Sequence, residues 1–226
     1  MTRGFPLRFF LLAVLLACAA EAGEVIDRIV ATVNGHIILL SDWVDAQRYA
    51  AFADGRPPDQ APDPKAILDE LIDQELLRQQ MRASDFPHVP EDEVEKRIAE
   101  IRKLYPEAES EQGWKSALAR YGLSAQELHR RVALQLDVMR LVDARLRPNV
   151  NIDSKSIEAY YNQELLPELR QSGAPAVPLA DASSRIKEVL TQRKVNELLV
   201  AWLHNLRSGS EIHTETTAPS PGSQPQ

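Results

Sequence analysis

The chain has 226 residues, of which 44% are hydrophobic and 26% are charged, a composition typical of a globular domain and not of a disordered or fibrous chain. Its 26 basic and 33 acidic side chains give a formal net charge of −7, so it lacks the positive field that most nucleic-acid-binding proteins use on phosphates. The chain has nine glycines, too few to suggest a glycine-rich phosphate loop or a glycine-punctuated α/β enzyme. We therefore expect neither a nucleic-acid partner nor a small-molecule substrate.

Residues 1–22 have the pattern of a secretory signal peptide. Arg3 and Arg8 provide the positive start, residues 9–17 form an apolar run, and residues 20–22, Ala-Glu-Ala, are a small-x-small cleavage site. The alternative is a transmembrane anchor, but the apolar run is shorter than the ~20 residues that span a bilayer. The pattern therefore predicts export from the cytoplasm.

Cys18 is the single cysteine of the chain, and it leaves a second form of export open. Residues 15–18, Leu-Leu-Ala-Cys, resemble a bacterial lipobox, in which Cys18 would become a lipidated N-terminus. A membrane is an expected partner only in that case. After ordinary cleavage the mature chain has no cysteine, so packing and not disulfides must stabilise it.

The first predicted element is a β-hairpin. Residues 29–33 and 36–40 are rich in β-branched and apolar side chains, and the Asn34-Gly35 between them is the pair that a tight type I′ turn prefers. The two-residue loop predicts a register that pairs Val33 with His36, Ala31 with Ile38 and Ile29 with Leu40. An isolated hairpin is marginally stable in water, so this one needs a further strand or packed helices.

Seven helices are predicted to follow, each from apolar residues three and four positions apart. Capping residues or prolines mark their ends. They are expected to begin near Ser41-Asp42, Asp63, Glu91, Glu109, Ser124, Asp153 and Asp181. A short strand is expected at residues 210–214, and the Pro/Ser/Thr-rich residues 215–226 are predicted to be a disordered tail.

The fifth helix carries two apolar rows. One consists of Leu128, Val132, Leu136, Met139, Val142 and Leu146, and the other of Leu134, Val138 and Leu141. Two rows predict a central helix that is buried on two sides.

The opening of the chain resembles the SurA N-terminal domain family. Residues 29–42 contain an apolar strand, Val-Asn-Gly, a second apolar strand and then Ser-Asp at a helix start, which is the pattern of that family. The resemblance covers residues 24–162. Two elements near the end, Trp202 to Arg207 and Ser210 to His213, are similar to the last helix and strand of SurA-like proteins. These two parts are expected to meet.

The resemblance implies a mainly α-helical fold with a small antiparallel β-sheet, in which the final strand joins the opening hairpin and the long last helix packs back on the N-terminal part. We expect a signal peptide at 1–22, a SurA-like chaperone domain at 23–162, a linker at 163–180, a helix and strand at 181–214 that complete the domain, and the tail at 215–226. In SurA-like proteins parvulin isomerase domains occupy the place of this linker. A domain needs ~50 residues, so none fits here.

We find no catalytic or metal-binding pattern in the sequence. None of the five histidines has a histidine or cysteine partner at metal-ligand spacing. Phosphate-loop, dinucleotide, nucleophile-elbow and zinc-protease motifs are also missing from the sequence. We expect no catalytic residue, no metal and no cofactor.

The remaining candidates are apolar and aromatic side chains that could bind a polypeptide. The candidate client-binding residues are Tyr49, Phe52, Leu104, Tyr105 and Trp114. For each aromatic residue, packing in the core is the competing interpretation.

The resemblance implies an ATP-independent periplasmic chaperone, a holdase, whose partners are unfolded or extended polypeptides such as outer-membrane protein precursors. Two alternatives stay open. One is a peptidyl-prolyl cis-trans isomerase, by family association, and the other is a non-catalytic adaptor for one folded partner.

Overall fold

The computed structural model describes residues 27–58, 60 and 63–215. The predicted signal peptide lies outside the described residues. So does the predicted tail, apart from Glu215, whose backbone N–H donates to the carbonyl of Val30 at 3.1 Å.

The described residues form three strands and seven helices, numbered here in chain order. The strands are β1 (Ile29–Val33), β2 (His36–Leu39) and β3 (Ile212–Thr214). The first five helices are α1 (Leu40–Ala53), α2 (Pro64–Ala83), α3 (Glu91–Arg102), α4 (Glu111–Arg120) and α5 (Ala125–Leu146). Helix α6 (154–172) has a π-helical turn, Tyr161–Leu165, between the α-helical segments Ser154–Tyr160 and Leu166–Ser172, and α7 is Leu179–Ser208. The predicted mainly helical fold with a small sheet is confirmed.

The sheet has the order β2-β1-β3, with both pairs antiparallel. The predicted hairpin and the returning final strand are therefore both present. Val33 lies opposite His36 and Ala31 opposite Ile38, as the two-residue loop predicts. The third predicted pair is wrong, because a β-bulge between residues 29 and 31 shifts the register and places Ile29 opposite Leu39.

Asn34 in the hairpin turn connects the two ends of the chain. Its φ of 51° is the left-handed conformation that the turn requires. Its backbone N–H donates to the carbonyl of Glu211 at 2.8 Å, and its side-chain oxygen accepts from the Glu211 N–H at 2.9 Å. Its amide nitrogen donates to Gln79 Oε1 of α2 at 2.7 Å. One turn residue thus fixes β3 and α2 against the hairpin.

Arg207 holds the end of α7 against α2. Its Nε lies 2.6 Å from Asp73 Oδ1, and one terminal nitrogen donates to the backbone carbonyl of Asp69 at 2.7 Å. The other terminal nitrogen lies 3.2 Å from Asp69 Oδ1. Leu206 next to it packs against the buried side chains of the hairpin and α2. The long last helix therefore packs back on the N-terminal part, as predicted.

A cluster of aromatic rings forms the larger hydrophobic core, which we call the aromatic core. Its rings are Phe52, Tyr105, Trp114 and Tyr121, and it also contains Val132 of α5. The Phe52 ring stacks on Tyr105 with centroids 4.8 Å apart and meets the Tyr121 ring edge-on at 5.4 Å. The Tyr105 hydroxyl donates to the carbonyl of Phe52, and burial raises the pKa of Tyr105. The hydroxyl is satisfied in the core, as a buried phenol must be.

Three of the predicted helix caps form as expected. The side chains of Asp63, Ser124 and Asp153 accept hydrogen bonds from backbone N–H groups in the first turns of α2, α5 and α6, at 3.2, 3.1 and 2.7 Å. These contacts satisfy N–H groups that have no partner inside a helix.

Three helix boundaries differ from the prediction. Helix α1 already begins at Leu40, because Asp42 lies inside the first turn and accepts from the Leu39 N–H at 2.9 Å. Helix α7 begins at Leu179, so Asp181 lies in its first turn and not at its cap. Helix α4 begins at Glu111, behind a short 3₁₀ turn.

Helix α6 is longer than the sequence suggested. It continues to Ser172, where Gly173 with a φ of 68° ends it. Residues 163–172 of the expected linker are therefore helical, and residues 173–178 alone connect α6 to α7.

Candidate binding groove

An open groove of about 990 Å³ lies between β2, α1, α2, α5 and the end of α7. We call it the central groove. Its apolar lining includes Ile37, Leu71, Leu134, Val138, Met139 and Leu203. Ile37 is 48% exposed and Met139 is 58% exposed. Apolar side chains that are grouped on one concave surface are typical of a binding site, whereas isolated exposed ones are ordinary.

Helix α5 contributes to both the aromatic core and the central groove. Val132 on one side is buried in the aromatic core, while Leu134 and Val138 on another line the groove and are half-buried. The predicted burial of Met139 is wrong, because its side chain lines the open groove and is 58% exposed. Leu134 and Val138 of the second predicted row line the groove, whereas Leu141 of the same row is buried, so the row did not distinguish a groove from a second core.

More carboxylates than arginines line the groove. Three arginines line it, Arg78, Arg130 and Arg131, against seven carboxylates, Asp42, Asp45, Asp69, Glu70, Asp73, Glu75 and Glu127. Arg131 is shared between Asp45, at 3.9 Å, and Glu127, at 3.4 Å. Burial, and then the nearby charge of Glu127, raises the pKa of Asp45. A neighbouring like charge therefore contributes to the raised pKa of at least one of these carboxyl groups.

Glu75 is the buried carboxylate of the groove, with 4% exposure. Its Oε1 accepts from Arg82 at 2.8 Å and from Gln79 at 3.0 Å. Its Oε2 has no hydrogen-bond donor within the described part of the chain. Arg78 Nη1 and His36 Nε2 each lie 3.6 Å from Oε2. This oxygen keeps an unused acceptor capacity, which is uncommon for a buried polar atom.

Among the predicted client-binding residues, Tyr49 is the one that the structure places in the central groove. Its hydroxyl donates to Gln135 Oε1 at 3.1 Å, and the Arg131 guanidinium lies 5.5 Å from its ring centroid. Burial raises the pKa of Tyr49. The ring is therefore held in place on the groove wall.

The other four candidates lie elsewhere. Phe52, Tyr105 and Trp114 belong to the aromatic core, with 0%, 6% and 7% exposure, so a client cannot reach Phe52 or Tyr105 in this conformation. Trp114 also borders a smaller cavity of about 490 Å³ between α3, α4 and α5. Leu104 is 58% exposed just beyond the end of α3, outside both cavities. The structure thus does not bring the five candidates together.

Some functional candidates could not be found from sequence spacing. Leu71, Leu134 and Leu203 are far apart in the chain and meet only through the packing of α2, α5 and α7. Each is one leucine among many at helical spacing, so no local signal marks it as groove-facing.

One histidine lies next to two carboxylates. His129 Nε2 of α5 is 2.7 Å from Glu91 Oε1 and 3.9 Å from Glu95 Oε1 of α3. Such a group can hold a metal ion in principle. Both glutamates are exposed, however, and the contacts are surface contacts that join α3 to α5.

Comparison with known families identifies the class of protein. The model of the SurA-like N-terminal domain matches residues 7–142. This match covers more than half of the chain and includes the hairpin and helices α1 to α4. The chain therefore belongs to the SurA-like N-terminal domain family.

A curated relative supports this assignment. The chain is 26% identical over 147 residues to a protein named Chaperone SurA from Chromobacterium violaceum. The aligned segment covers 63% of this chain and 34% of that relative, so the chain spans about a third of the relative's length. Within the described residues, none of the helices combines the length and apolar character needed to cross a membrane.

Proposed function

We propose that this protein is an ATP-independent periplasmic chaperone that holds unfolded or extended polypeptides, outer-membrane protein precursors among them. The observation that carries the proposal is the central groove, an open concave surface on which Ile37 and Met139 remain about half exposed. Its apolar side chains come from four different elements, so one docked segment can contact several of them at once.

The energetics of such a groove suit reversible holding. Burial of exposed apolar area contributes about 25 cal/mol per Å², and the ordering of the client offsets part of this gain. A groove that contacts only a few side chains at a time therefore gives weak binding and fast release. Release then needs no nucleotide, which suits an exported protein.

We propose that the chain itself is not an enzyme. The family match is to the SurA-like N-terminal domain, and residues 173–178 between α6 and α7 leave no room for an isomerase domain. In an assay of proline-limited refolding, the protein should not accelerate the slow phase, which takes tens to hundreds of seconds when uncatalysed. A catalytic acceleration would contradict this part of the proposal.

The holding activity is tested by the aggregation of a denatured outer-membrane protein that is diluted from urea. The wild-type chain should suppress light scattering in proportion to its concentration. Ile37→Ser and Met139→Gln remove exposed apolar surface from the groove, and each should weaken the suppression. The matched control is Val200→Gln, because Val200 is also exposed, at 69%, but does not line the groove.

Two outcomes would contradict the proposal. If the wild-type chain does not suppress aggregation at several-fold excess, the protein is not a holdase. If Val200→Gln and Met139→Gln weaken the suppression equally, the groove is not the site of client binding. Leu104→Gln tests the remaining exposed candidate, and a loss confined to this variant would move the client site to the end of α3.

A further inference from the structure

Two carboxylates on the groove walls have no cationic partner within the part of the chain that the structure describes. Asp42 and Glu70 are both exposed, and neither forms an ion pair with a described residue. The Asp42 carboxylate accepts from the backbone N–H of Leu39, and Glu70 accepts from the amide of Gln74 at 3.1 Å. Their charges are open to a ligand in the groove.

Glu75 is an independent observation that points to the same kind of ligand. Its side chain is 96% covered, and its Oε2 has no hydrogen-bond donor among the described residues. The groups that cover Oε2 are His36 and Arg78, which are 48% and 41% exposed and stay 3.6 Å away. Neither group donates a hydrogen bond to Oε2. A donor from a bound segment would then complete the hydrogen bonding of Glu75.

The other wall carboxylates have partners, and these matter for the charge of the groove. Arg207 and Lys65 pair with Asp69 and Asp73, and Arg131 and Arg48 pair with Asp45 and Glu127. Within the described residues, the lining carboxylates left without an ion pair are therefore Asp42 and Glu70, against one such arginine, Arg130. Glu75 is already paired with Arg82 at 2.8 Å and Arg78 at 3.6 Å, so it offers a buried acceptor oxygen and not a free charge.

We propose that the central groove selects apolar polypeptide segments that carry lysine or arginine, and that Asp42 and Glu70 are the carboxylates that meet these cations, with Oε2 of Glu75 as a buried acceptor for a donor of the segment. The inference rests on the proposed polypeptide-binding function and specifies its preferred clients. Apolar side chains of the segment contact the lining, while its cationic side chains lie against the walls. An acidic segment of the same hydrophobicity is rejected, because its carboxylates meet like charges at the same positions.

The test uses three synthetic peptides with the same apolar residues and with lysine, glutamine or glutamate at the same two positions. Binding of the fluorescently labelled peptides to the full chain is measured by anisotropy. At low salt the lysine peptide should bind about tenfold more tightly than the glutamate peptide, with the glutamine peptide between them. This spread should shrink at about 0.5 M salt, because the Debye length falls well below 10 Å.

Charge-removing variants locate the effect. Glu70→Gln and Asp42→Asn should each lower the affinity for the lysine peptide and leave the affinity for the glutamine peptide unchanged. Glu168→Gln, on the exposed surface of α6 away from the groove, is the matched control and should change nothing.

The outcomes separate this inference from the proposed function. Equal affinity for the three peptides at low salt, or tighter binding of the glutamate peptide, overturns the charge preference while polypeptide binding stands. Failure of all three peptides to bind overturns the proposed function itself. An effect of Glu168→Gln as large as that of Glu70→Gln would show that only the net charge of the chain matters.

Discussion

The aromatic core and the central groove share helix α5, and they differ in what covers it. On the core side, Val132 is 0% exposed and lies among stacked rings. On the groove side, Met139 is 58% exposed, and the neighbouring walls carry carboxylates. The large aromatic side chains thus lie in the aromatic core, while the central groove is lined mainly by aliphatic and acidic ones.

This contrast separates stability from binding. A large ring contributes most when it is fully buried among other rings, and that is where Phe52, Tyr105 and Tyr121 lie. The groove instead keeps smaller apolar side chains in contact with solvent, where they add little to folding and remain free to contact a client. Substitutions in the aromatic core should therefore lower stability, whereas substitutions in the central groove should weaken client binding and leave stability nearly unchanged.

The largest effect is expected for Phe52→Ala. This change leaves a cavity beneath Tyr105 and Tyr121 and should lower the free energy of unfolding by about 3–5 kcal/mol. Urea denaturation followed by circular dichroism measures the change. Val200→Ala on the exposed face of α7 is the control. A loss below about 1 kcal/mol for Phe52→Ala would mean that the core is not packed as described.

A smaller loss of unfolding free energy is expected for Arg207→Ala, which removes the polar contacts between the end of α7 and α2. Three hydrogen bonds to Asp69 and Asp73 disappear, and the unfolding free energy should fall by about 1–2 kcal/mol, since the pair is partly exposed to solvent. Arg207→Lys keeps the charge but not the forked geometry, so it should lose an intermediate amount. If both variants were as stable as the wild type, Arg207 would not be the contact that holds the last helix.

Local chemistry explains why much of the fold could be predicted. The Asn34-Gly35 turn and the caps at Asp63, Ser124 and Asp153 depend on residues within a few positions of one another, and all of them form. The predicted start of α1 failed because a second local contact competed with the expected cap. Asp42 was expected to start a helix with Ser41, yet its carboxylate reaches back to Leu39 and lengthens the helix.

The groove could not be predicted in the same way. Whether a leucine of α5 meets a helix or solvent depends on where α2 and α7 lie, and helical spacing is the same in both cases. For that reason Met139 was assigned to the core, whereas the rings of Phe52 and Tyr105, which could equally serve a client, lie in the interior. The open side of α5 is a property of the tertiary arrangement.

A pH effect is expected at the loop that joins the two regions. His88, between α2 and α3, has its Nδ1 2.7 Å from Oδ2 of Asp137, which is buried on α5 and also accepts from the Val89 N–H at 2.6 Å. The hydrogen bond to Asp137, and then its charge, raises the pKa of His88. The protonated form is therefore favoured in the folded state, so its contribution to stability is complete below the ordinary pKa of about 6.5 and is lost as the pH rises through the raised value.

The urea midpoint measured as a function of pH checks this effect. His88→Gln should flatten the decrease in midpoint above the ordinary pKa of histidine. His204→Gln is a control, since His204 lies on the exposed surface of α7. A wild-type midpoint that rises over the same pH interval would contradict the sign of this linkage.

The smallest effect on stability is expected for Met139→Gln. This variant is the most direct test of the difference between the two sides of α5. Because Met139 is mostly exposed, its replacement should change the unfolding free energy by less than about 0.5 kcal/mol. The same variant should bind the glutamine peptide more weakly than the wild type, because apolar area is lost from the groove lining. Binding that stays unchanged while stability falls by as much as in a core variant would place Met139 in the core after all. The two sides of α5 would then not differ in the way described.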